Sequence, residues 1–354
     1  MRQITDINFD WRFSEHFSPE QVSPDFDDSD FAAVDIPHTV KEIPYNYFDE
    51  KDYQFVSCYR KRFTLPAEAT DGAHKAIMRF EGAANYARVY INGEFCCEHK
   101  DGYTPFEADI TDLITDGENV IAVELDSAER PDMPPFGNVV DYLVYGGIYR
   151  EVSIKTVPLT YIDDIFVRTP CVSGEKKRLV ADVTFSQPYR GVLKAKVTDS
   201  NGNAVAERSA EVDGSVIRLD WAFPAKLWDL DSPVLYTLTI EIDGDEDSRR
   251  FGFRSAEFRK DGFYLNGRHV KLRGLNRHQS YPYVGNAMPK SAQTADAKLL
   301  KYELGCNIVR TSHYPDSPHF LDCCDEIGLL VFTEMPSWQH LGEGEWRETC
   351  LNNI

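Results

Sequence analysis

The segment GCNIVRTSHYPDSPHFLDCCDEIGLLVFTE, from Gly305 to Glu334, decides the fold because it predicts a strand, a helix and a second strand in close succession. Ser317 is a favourable helix N-cap, and Pro318 suits the first helical position. Gly328 ends the helix. Four residues form its apolar face: Phe320, Leu321, Cys324 and Ile327. Links this short between strands and helices indicate parallel α/β architecture.

The same alternation extends towards the N-terminus. VKLRGLN, from Val270 to Asn276, predicts a buried strand, and residues 291–304 predict a helix that Gly305 stops. The predicted apolar face of this helix consists of Ala295, Leu299, Leu300 and Leu304. Spacing alone does not distinguish an open sheet from a barrel.

Two strand-rich regions precede this part of the chain. KAIMRFEGAANYARVYING alternates apolar and polar residues and ends in Asn92-Gly93, a strong hairpin signal. NVIAVELD and GGIYREVSIKTV predict further strands, which together indicate a β-sandwich. A second set, YIDDIFVRTP, RLVADVTFS, GVLKAKVTDSNGNAVAE and LYTLTIEIDG, predicts an immunoglobulin-like sandwich. We therefore expect domains at residues 1–157, 158–256 and 257–354.

The net charge limits the classes of molecule that this chain is expected to bind, and the cysteine spacing indicates its redox environment. A net charge of −20 would repel polyphosphate and anionic lipid, so neither nucleic acid nor a membrane is expected as a partner. A neutral sugar is compatible with this charge, although the acidic residues could simply confer solubility. No signal peptide or membrane-spanning run is predicted. The eight cysteines lack Cys-x-x-Cys spacing, which predicts reduced thiols in a cytoplasmic protein.

A series of motifs resembles glycoside hydrolase family 2, the family of β-galactosidases, β-glucuronidases and β-mannosidases. The motifs include FDDSDFAAVDIPHT, ARVYINGE, GYTPFEADIT, YGGIYREV, FGFRSAEF, LNGRHVKLRGLNRHQ and the segment that ends in LLVFTE. The resemblance implies a jelly-roll-like sugar-binding sandwich, an immunoglobulin-like sandwich and a (β/α)8, or TIM, barrel. It also implies retaining, exo-acting hydrolysis of terminal β-glycosides, most of all β-galactosides, with β-glucuronides as the alternative. No cofactor is evident, a cation is compatible with full-length family members, and a homo-oligomer stays open.

Active sites of such barrels lie at the C-terminal ends of the strands, where Arg310, His313 and Glu334 occur. The resemblance places His313 in contact with the sugar and Arg310 close to the catalytic carboxylates. A guanidinium would keep a nucleophilic carboxylate ionised, and a neutral imidazole can hydrogen-bond sugar hydroxyls. The alternative is a structural ion pair for Arg310 and a loop-shaping role for His313. The resemblance makes Glu334 a supporting residue rather than the acid/base or the nucleophile.

Further candidates surround this cluster. The resemblance places His340 in contact with the sugar, and Trp338 could stack on a pyranose or pack in the core. Asp141, six residues before Gly147, matches an aspartate that binds sugar hydroxyls in related enzymes, although a solvated loop acid is the alternative. Asn46 is a weaker candidate of the same kind. Three residues end the first barrel strand, and some of them are expected to support the site by orienting catalytic groups rather than by binding substrate: Asn276, Arg277 and His278.

The two catalytic carboxylates themselves are not expected in this chain. The family supplies them near the ends of the fourth and seventh barrel strands, the first as an Asn-Glu pair. After LLVFTE, Asn352-Asn353 is not followed by glutamate, and residues 257–354 are far fewer than the about 250 of a whole barrel. We therefore expect no catalytic residue, weak binding of a simple sugar or none, and no hydrolysis from this chain alone. The competing hypothesis is a non-catalytic carbohydrate-binding or adaptor protein that uses its first sandwich as a lectin.

Overall fold

The computed structural model describes residues 1–353, beginning with a β-sandwich of twelve strands and three short 3-10 helices, Pro19–Val22, Glu50–Tyr53 and Ala67–Thr70. The strands are β1 (Gln3–Asp6), β2 (Trp11–Ser14), β3 (Ala32–Val34), β4 (Val56–Phe63), β5 (His74–Phe80), β6 (Ala83–Ala84), β7 (Tyr86–Ile91), β8 (Glu94–Lys100), β9 (Phe106–Asp109), β10 (Asn119–Asp126), β11 (Gly147–Ile148) and β12 (Val152–Pro158).

The two sheets of this first domain have the strand orders β1-β12-β5-β9 and β3-β2-β4-β10-β7-β8, and β6 pairs with β11. Alternate residues of β7 enter the core between the sheets, as the apolar-polar pattern predicts. The Asn92-Gly93 hairpin between β7 and β8 is confirmed, and both residues have positive φ. The prediction of one strand over GGIYREVSIKTV is wrong, because Tyr149 and Arg150 leave the ladder and turn their side chains into the interior.

The second domain is built around two long antiparallel strands, β14 (Lys176–Asp199) and β15 (Ala204–Pro224). Their pairing is interrupted between Thr184 and Tyr189 by a bulge that bends β14. Before the bulge β14 also pairs with Ile162–Cys171, and after it β14 pairs with Tyr236–Ile242. The predicted strands RLVADVTFS and GVLKAKV are thus one continuous strand. The remaining strands are β13 (Ile162–Cys171), β16 (Trp228–Asp229), β17 (Ser232–Pro233), β18 (Tyr236–Ile242) and β19 (Asp245–Phe251).

The third region starts with an antiparallel meander and continues with alternating strands and helices. The meander comprises β20 (Ala256–Arg259), β21 (Gly262–Leu265) and β22 (Arg268–Val270). The elements that follow are β23 (Gly274–Arg277), α1 (Lys290–Lys298) with a π-helical turn at Leu299–Glu303, β24 (Ile308–Thr311), α2 (Pro318–Ile327), β25 (Leu330–Phe332) and α3 (Glu345–Asn352). Strands β23, β24 and β25 pair in parallel, which confirms the predicted architecture.

Helix α2 forms where its capping residues predict it. The Ser317 Oγ accepts a hydrogen bond from the backbone N–H of His319 at 3.3 Å, and Pro318 occupies the first helical position. Gly328 ends the helix in the left-handed region, with φ of 74°. The predicted boundaries of this helix are therefore confirmed.

Two other predictions in this region are wrong. VKLRGLN is not one buried strand: β22 ends at Val270, β23 begins at Gly274, and Leu275 stays 51% exposed because β23 is an edge strand in the described part of the sheet. The buried face of α1 is Gln293 and Ala297, with Leu300 just beyond, whereas Ala295, Leu299 and Leu304 are exposed. The π-helical turn contributes to this difference, since its wider winding rotates the following residues off the predicted face.

No helix among residues 1–353 is both long enough and apolar enough to cross a bilayer.

Candidate functional site

The predicted cluster at the ends of β24 and β25 forms around Glu334. The Arg310 Nε donates to Glu334 Oε1, and His313 Nδ1 lies 3.0 Å from Oε2. Burial opposes ionisation of this carboxyl, but the hydrogen bonds from Arg310 and His313 outweigh it and hold the pKa of Glu334 below its usual value. An ionised carboxylate only accepts hydrogen bonds, so His313 must carry its proton on Nδ1. In the neutral ring, Nε2 is then an acceptor available to a hydroxyl group.

Aromatic side chains enclose the imidazole of His313, which is itself buried. Trp338 stacks on it with 5.2 Å between ring centroids and 20° between planes. Tyr142 of the first domain lies 5.7 Å away, and His278 meets it edge-on at 5.5 Å. This enclosure fixes the orientation of His313, and it means that one face of Trp338 is covered by His313.

The loop that carries Asp141 borders this cluster. Tyr142, the next residue, packs on His278 with 5.3 Å between ring centroids, and His278 Nδ1 lies 3.4 Å from the Tyr314 hydroxyl. Burial lowers the pKa of His278, and the charge of Asp141 partly opposes that shift. Asp141 is exposed, and the ring of the adjacent Tyr142 contacts both His278 and His313, so this first-domain loop extends to the strand-end cluster.

His340 makes a different set of contacts. Its ring meets Trp346 of α3 edge-on at 5.5 Å, and a Cβ atom at Gly137 of the first domain would lie 2.5 Å from its Nε2. Trp346 Nε1 in turn donates to the Phe136 carbonyl at 2.8 Å. His340 therefore lies at the junction between a first-domain loop and α3.

The other predicted residues divide into exposed and enclosed positions. Asn276 is exposed on β23 beside Arg310, its partner in the parallel register. Arg277 is buried, bonds to Asp316 at 2.6 Å and Asp296 at 2.8 Å, and lies over the Phe320 ring, so it supports α1 and α2 instead of facing the cluster. Asn46 is exposed in a loop whose Ile43 carbonyl accepts a hydrogen bond from the Tyr283 N–H, a barrel-loop residue.

Sequence reasoning missed several side chains that join the first domain to this cluster. Tyr103 stacks on Tyr314 with 4.0 Å between centroids and 9° between planes, and both rings are buried. Asp101 and Arg150 are buried beside them. Tyr103 and Arg150 occur in GYTPFEADIT and YGGIYREV, which carried the resemblance, but a tyrosine or arginine beside a strand gives no signal of a partner two hundred residues away.

No group of three or more histidine, cysteine, aspartate or glutamate residues within the described 353 positions is arranged to hold a metal ion.

Three models of known protein families match three consecutive parts of this chain. Residues 4–158 match the sugar binding domain of the glycosyl hydrolases family 2, residues 160–254 match the central model of that family, and residues 256–351 match its TIM barrel domain. This chain belongs to glycoside hydrolase family 2. The expected order of jelly-roll-like sandwich, immunoglobulin-like sandwich and beginning of a TIM barrel is confirmed.

The relatives of this family 2 chain include enzymes named for two activities. It is 45% identical to a β-galactosidase of Thermoanaerobacterium thermosulfurigenes and 31% identical to a putative β-glucuronidase of Formosa agariphila, with 100% of the chain aligned in each case and 51% and 44% of those proteins covered. The structure of Bacteroides uniformis β-glucuronidase 2 superposes with a TM-score of 0.86 at 28% identity, covering 100% of this chain and 45% of that one. The chain thus spans about half the length of the curated relatives it matches.

Proposed function

We propose that this chain is the N-terminal part of a retaining, exo-acting glycoside hydrolase of the β-galactosidase type. The observation that carries the proposal is the Arg310–Glu334–His313 cluster, which lies at the C-terminal ends of parallel strands at the start of a TIM barrel. The β-galactosidase assignment rests on relatives: three that bear this name are 45%, 42% and 37% identical.

In the proposed site, His313 receives a sugar hydroxyl at Nε2 while Glu334 holds Nδ1. Asp141 accepts hydroxyl hydrogen bonds from the first-domain side, and its charge makes these bonds stronger than neutral ones. Trp338, His340 and Asn46 complete the rim of the site. Arg310 contributes positive charge near the reacting carboxylates, and three residues have supporting roles: Asn276, Arg277 and His278.

The retaining reaction requires an acid/base and a nucleophile about 5–5.5 Å apart. We place both beyond β25, after the fourth and seventh strands of the complete barrel, so hydrolysis belongs to the whole protein. The 354-residue chain is then a sugar-binding part without turnover. Domain boundaries at 157/158 and 256/257, a cytoplasmic location and a homo-oligomer stay predictions.

A β-glucuronidase is the second candidate, favoured by the 31% identical relative and by the structural match to the Bacteroides uniformis enzyme. A glucuronide carries a carboxylate that needs a cation. In this part of the site, the Arg310 guanidinium is already paired with Glu334, and Asp141 adds a second negative charge. This distribution of charge favours a neutral terminal sugar.

The test is a titration of the 354-residue chain, labelled with ¹⁵N-histidine, with methyl β-galactoside and separately with methyl β-glucuronide. We expect the galactoside to move the His313 imidazole signals and to leave unchanged those of His74, which begins β5 and pairs with Asp71. Absence of any effect on His313 from either sugar would contradict the site. Hydrolysis of nitrophenyl β-galactoside by the homogeneous chain would contradict the placement of the carboxylates.

The His313→Ala variant separates the barrel site from the lectin hypothesis. We expect galactoside binding, measured by calorimetry, to be lost in this variant and kept in His74→Ala. Full affinity in both variants would favour a lectin site within the first sandwich.

A further inference from the structure

Arg150 is a buried cation of the first domain whose guanidinium bonds to two loops of the barrel. It follows β11 and is 4% exposed. Its Nη1 donates to the Tyr103 carbonyl at 3.1 Å within its own domain. Its Nη2 crosses the domain boundary and donates to Gln279 Oε1 at 3.0 Å and to the Pro315 carbonyl at 2.7 Å. Its Nη1 also donates to the Glu81 carbonyl at 3.4 Å, so one side chain connects four separate segments.

The two barrel atoms belong to the loops that carry the site histidines. Gln279 directly follows His278, and Pro315 is two residues after His313. Tyr314 lies between His313 and Pro315 and stacks on Tyr103, the residue whose carbonyl accepts from Arg150. Arg150 therefore holds the backbone of the His313 loop, and Tyr103 holds the Tyr314 side chain of the same loop.

A different arginine shows what a purely structural contact between domains looks like in this chain. Arg2 also crosses a domain boundary, and its guanidinium bonds to Asp245 at 2.9 Å and Asp247 at 2.9 Å in the second domain. Arg2 also donates to the Ile162 carbonyl, but its two carboxylate partners neutralise its charge. Arg150 instead bonds to backbone carbonyls and an amide, groups that fix direction without cancelling charge.

We propose that Arg150 is a positioning residue that sets the orientation of the His278 and His313 imidazoles from the first domain. Charge-assisted hydrogen bonds are stronger and more directional than neutral ones, which suits this task. The first sandwich then helps to build the barrel site in addition to bordering it. The link to sugar binding rests on the proposed function, whereas the effect on the two imidazoles can be measured in the sugar-free chain.

The experiment uses the 354-residue chain with ¹⁵N-labelled histidine and compares Arg150→Met with Arg2→Met. Both variants lose an arginine that joins two domains, so both are expected to have a lower Tm. Only Arg150→Met is expected to change the ¹⁵N shifts and pH titrations of His278 and His313. It should also weaken methyl β-galactoside binding by about tenfold, the effect of losing one charge-assisted hydrogen bond.

Two further variants cover the case in which Arg150→Met does not fold. Arg150→Lys keeps the charge but places it on a single nitrogen atom. Because the Pro315 carbonyl is the nearer of the two barrel acceptors, this variant should restore the His313 signals more than those of His278. Gln279→Met removes one acceptor and should affect mainly His278. Wild-type titrations of both histidines in every folded Arg150 and Gln279 variant would overturn the proposal. If the imidazoles respond but the unmodified chain binds no sugar, the positioning role stands and the proposed function fails.

Discussion

The two sandwiches contact the barrel segment in chemically different ways. The first domain meets the strand-end loops through buried groups: the Tyr103–Tyr314 stack, Arg150, and the Trp346 N–H bond to Phe136. The second domain meets the C-terminal end of α2, where Trp228 Nε1 donates to the Asp325 carbonyl at 2.7 Å and Arg250 pairs with Asp322 and Glu326 at the surface. We call these the site-side and the base-side interface.

Both sandwiches therefore contact the barrel segment, but only the first contacts the loops that carry His278 and His313. At the site-side interface, buried ionisable groups depend on the fit between domains, and the histidine loops depend on them. At the base-side interface, exposed ion pairs contribute about 0–1 kcal/mol each and touch no strand-end loop. Changes at the site side should therefore alter both stability and sugar binding, whereas changes at the base side should alter stability alone.

The largest effect is expected from Tyr314→Ala. The ring is buried and stacked on Tyr103, so its removal should lower the free energy of unfolding by about 3–5 kcal/mol and abolish galactoside binding. Chemical denaturation and calorimetry measure the two quantities. A folded Tyr314→Ala variant with undiminished sugar affinity would show that the stack has no influence on the site.

The second effect concerns Asp101, whose pKa burial raises to about 7. A carboxyl that binds its proton more tightly in the folded chain stabilises the fold at low pH, and this stability is lost as pH rises from about 4 to about 7. Asp101→Asn should remove this dependence and raise stability at pH 8 by on the order of 4 kcal/mol, with little change at pH 4.

The measurement for Asp101 is the difference in Tm between the variant and the unmodified chain from pH 4 to pH 8. Subtracting the two Tm values removes the contribution of other carboxyls that both chains share. One of these is Glu334, whose lowered pKa makes the fold more stable as pH rises. A Tm difference that stays constant over this range would contradict a protonated Asp101.

Substitution of two matched tryptophans, one at each interface, allows the most even comparison between the interfaces. Trp346 and Trp228 are both buried and donate an indole N–H to a backbone carbonyl of the neighbouring domain, at 2.8 Å and 2.7 Å. Replacement of either by phenylalanine should cost about 1–2 kcal/mol, because an acceptor loses its partner. Only Trp346→Phe should weaken galactoside binding, since Trp346 packs on His340. Equal loss of galactoside affinity in both variants would show that the two interfaces do not differ in their effect on sugar binding.

The smallest effect is expected from Arg250→Ala. Its pairs with Asp322 and Glu326 are partly exposed, so the loss should be under about 1 kcal/mol and should diminish at high salt. Galactoside affinity should stay unchanged. A large loss of affinity would mean that the base-side interface also controls the site.

Local signals predicted the elements that local chemistry determines. Ser317, Pro318 and Gly328 place α2, and Asn92-Gly93 places a hairpin, because capping and turn geometry depend on neighbours in sequence. The face of α1 and the bend of β14 were not predictable in this way. Both depend on which surfaces meet in three dimensions, and the π-helical turn after Lys298 leaves no mark in the apolar spacing.

The cluster of Arg310, His313 and Glu334 was predictable because all three residues lie at strand ends. Arg310, His313 and Glu334 follow two parallel strands, whose C-terminal ends share one edge of the sheet. The roles of Tyr103, Asp101 and Arg150 were not predictable, because their partners lie in another domain and tyrosine or arginine near a strand usually belongs to the core or the surface.

The most direct test of the account is hydrogen–deuterium exchange of the 354-residue chain with and without saturating methyl β-galactoside. We expect slower exchange in the barrel loops at 278–286 and 312–316 and, to a similar degree, in first-domain residues 100–104 and 136–150. Residues 228–251 of the second domain should be unaffected. Protection confined to the barrel loops, or equal protection of residues 228–251, would contradict the claim that the first domain builds the sugar site.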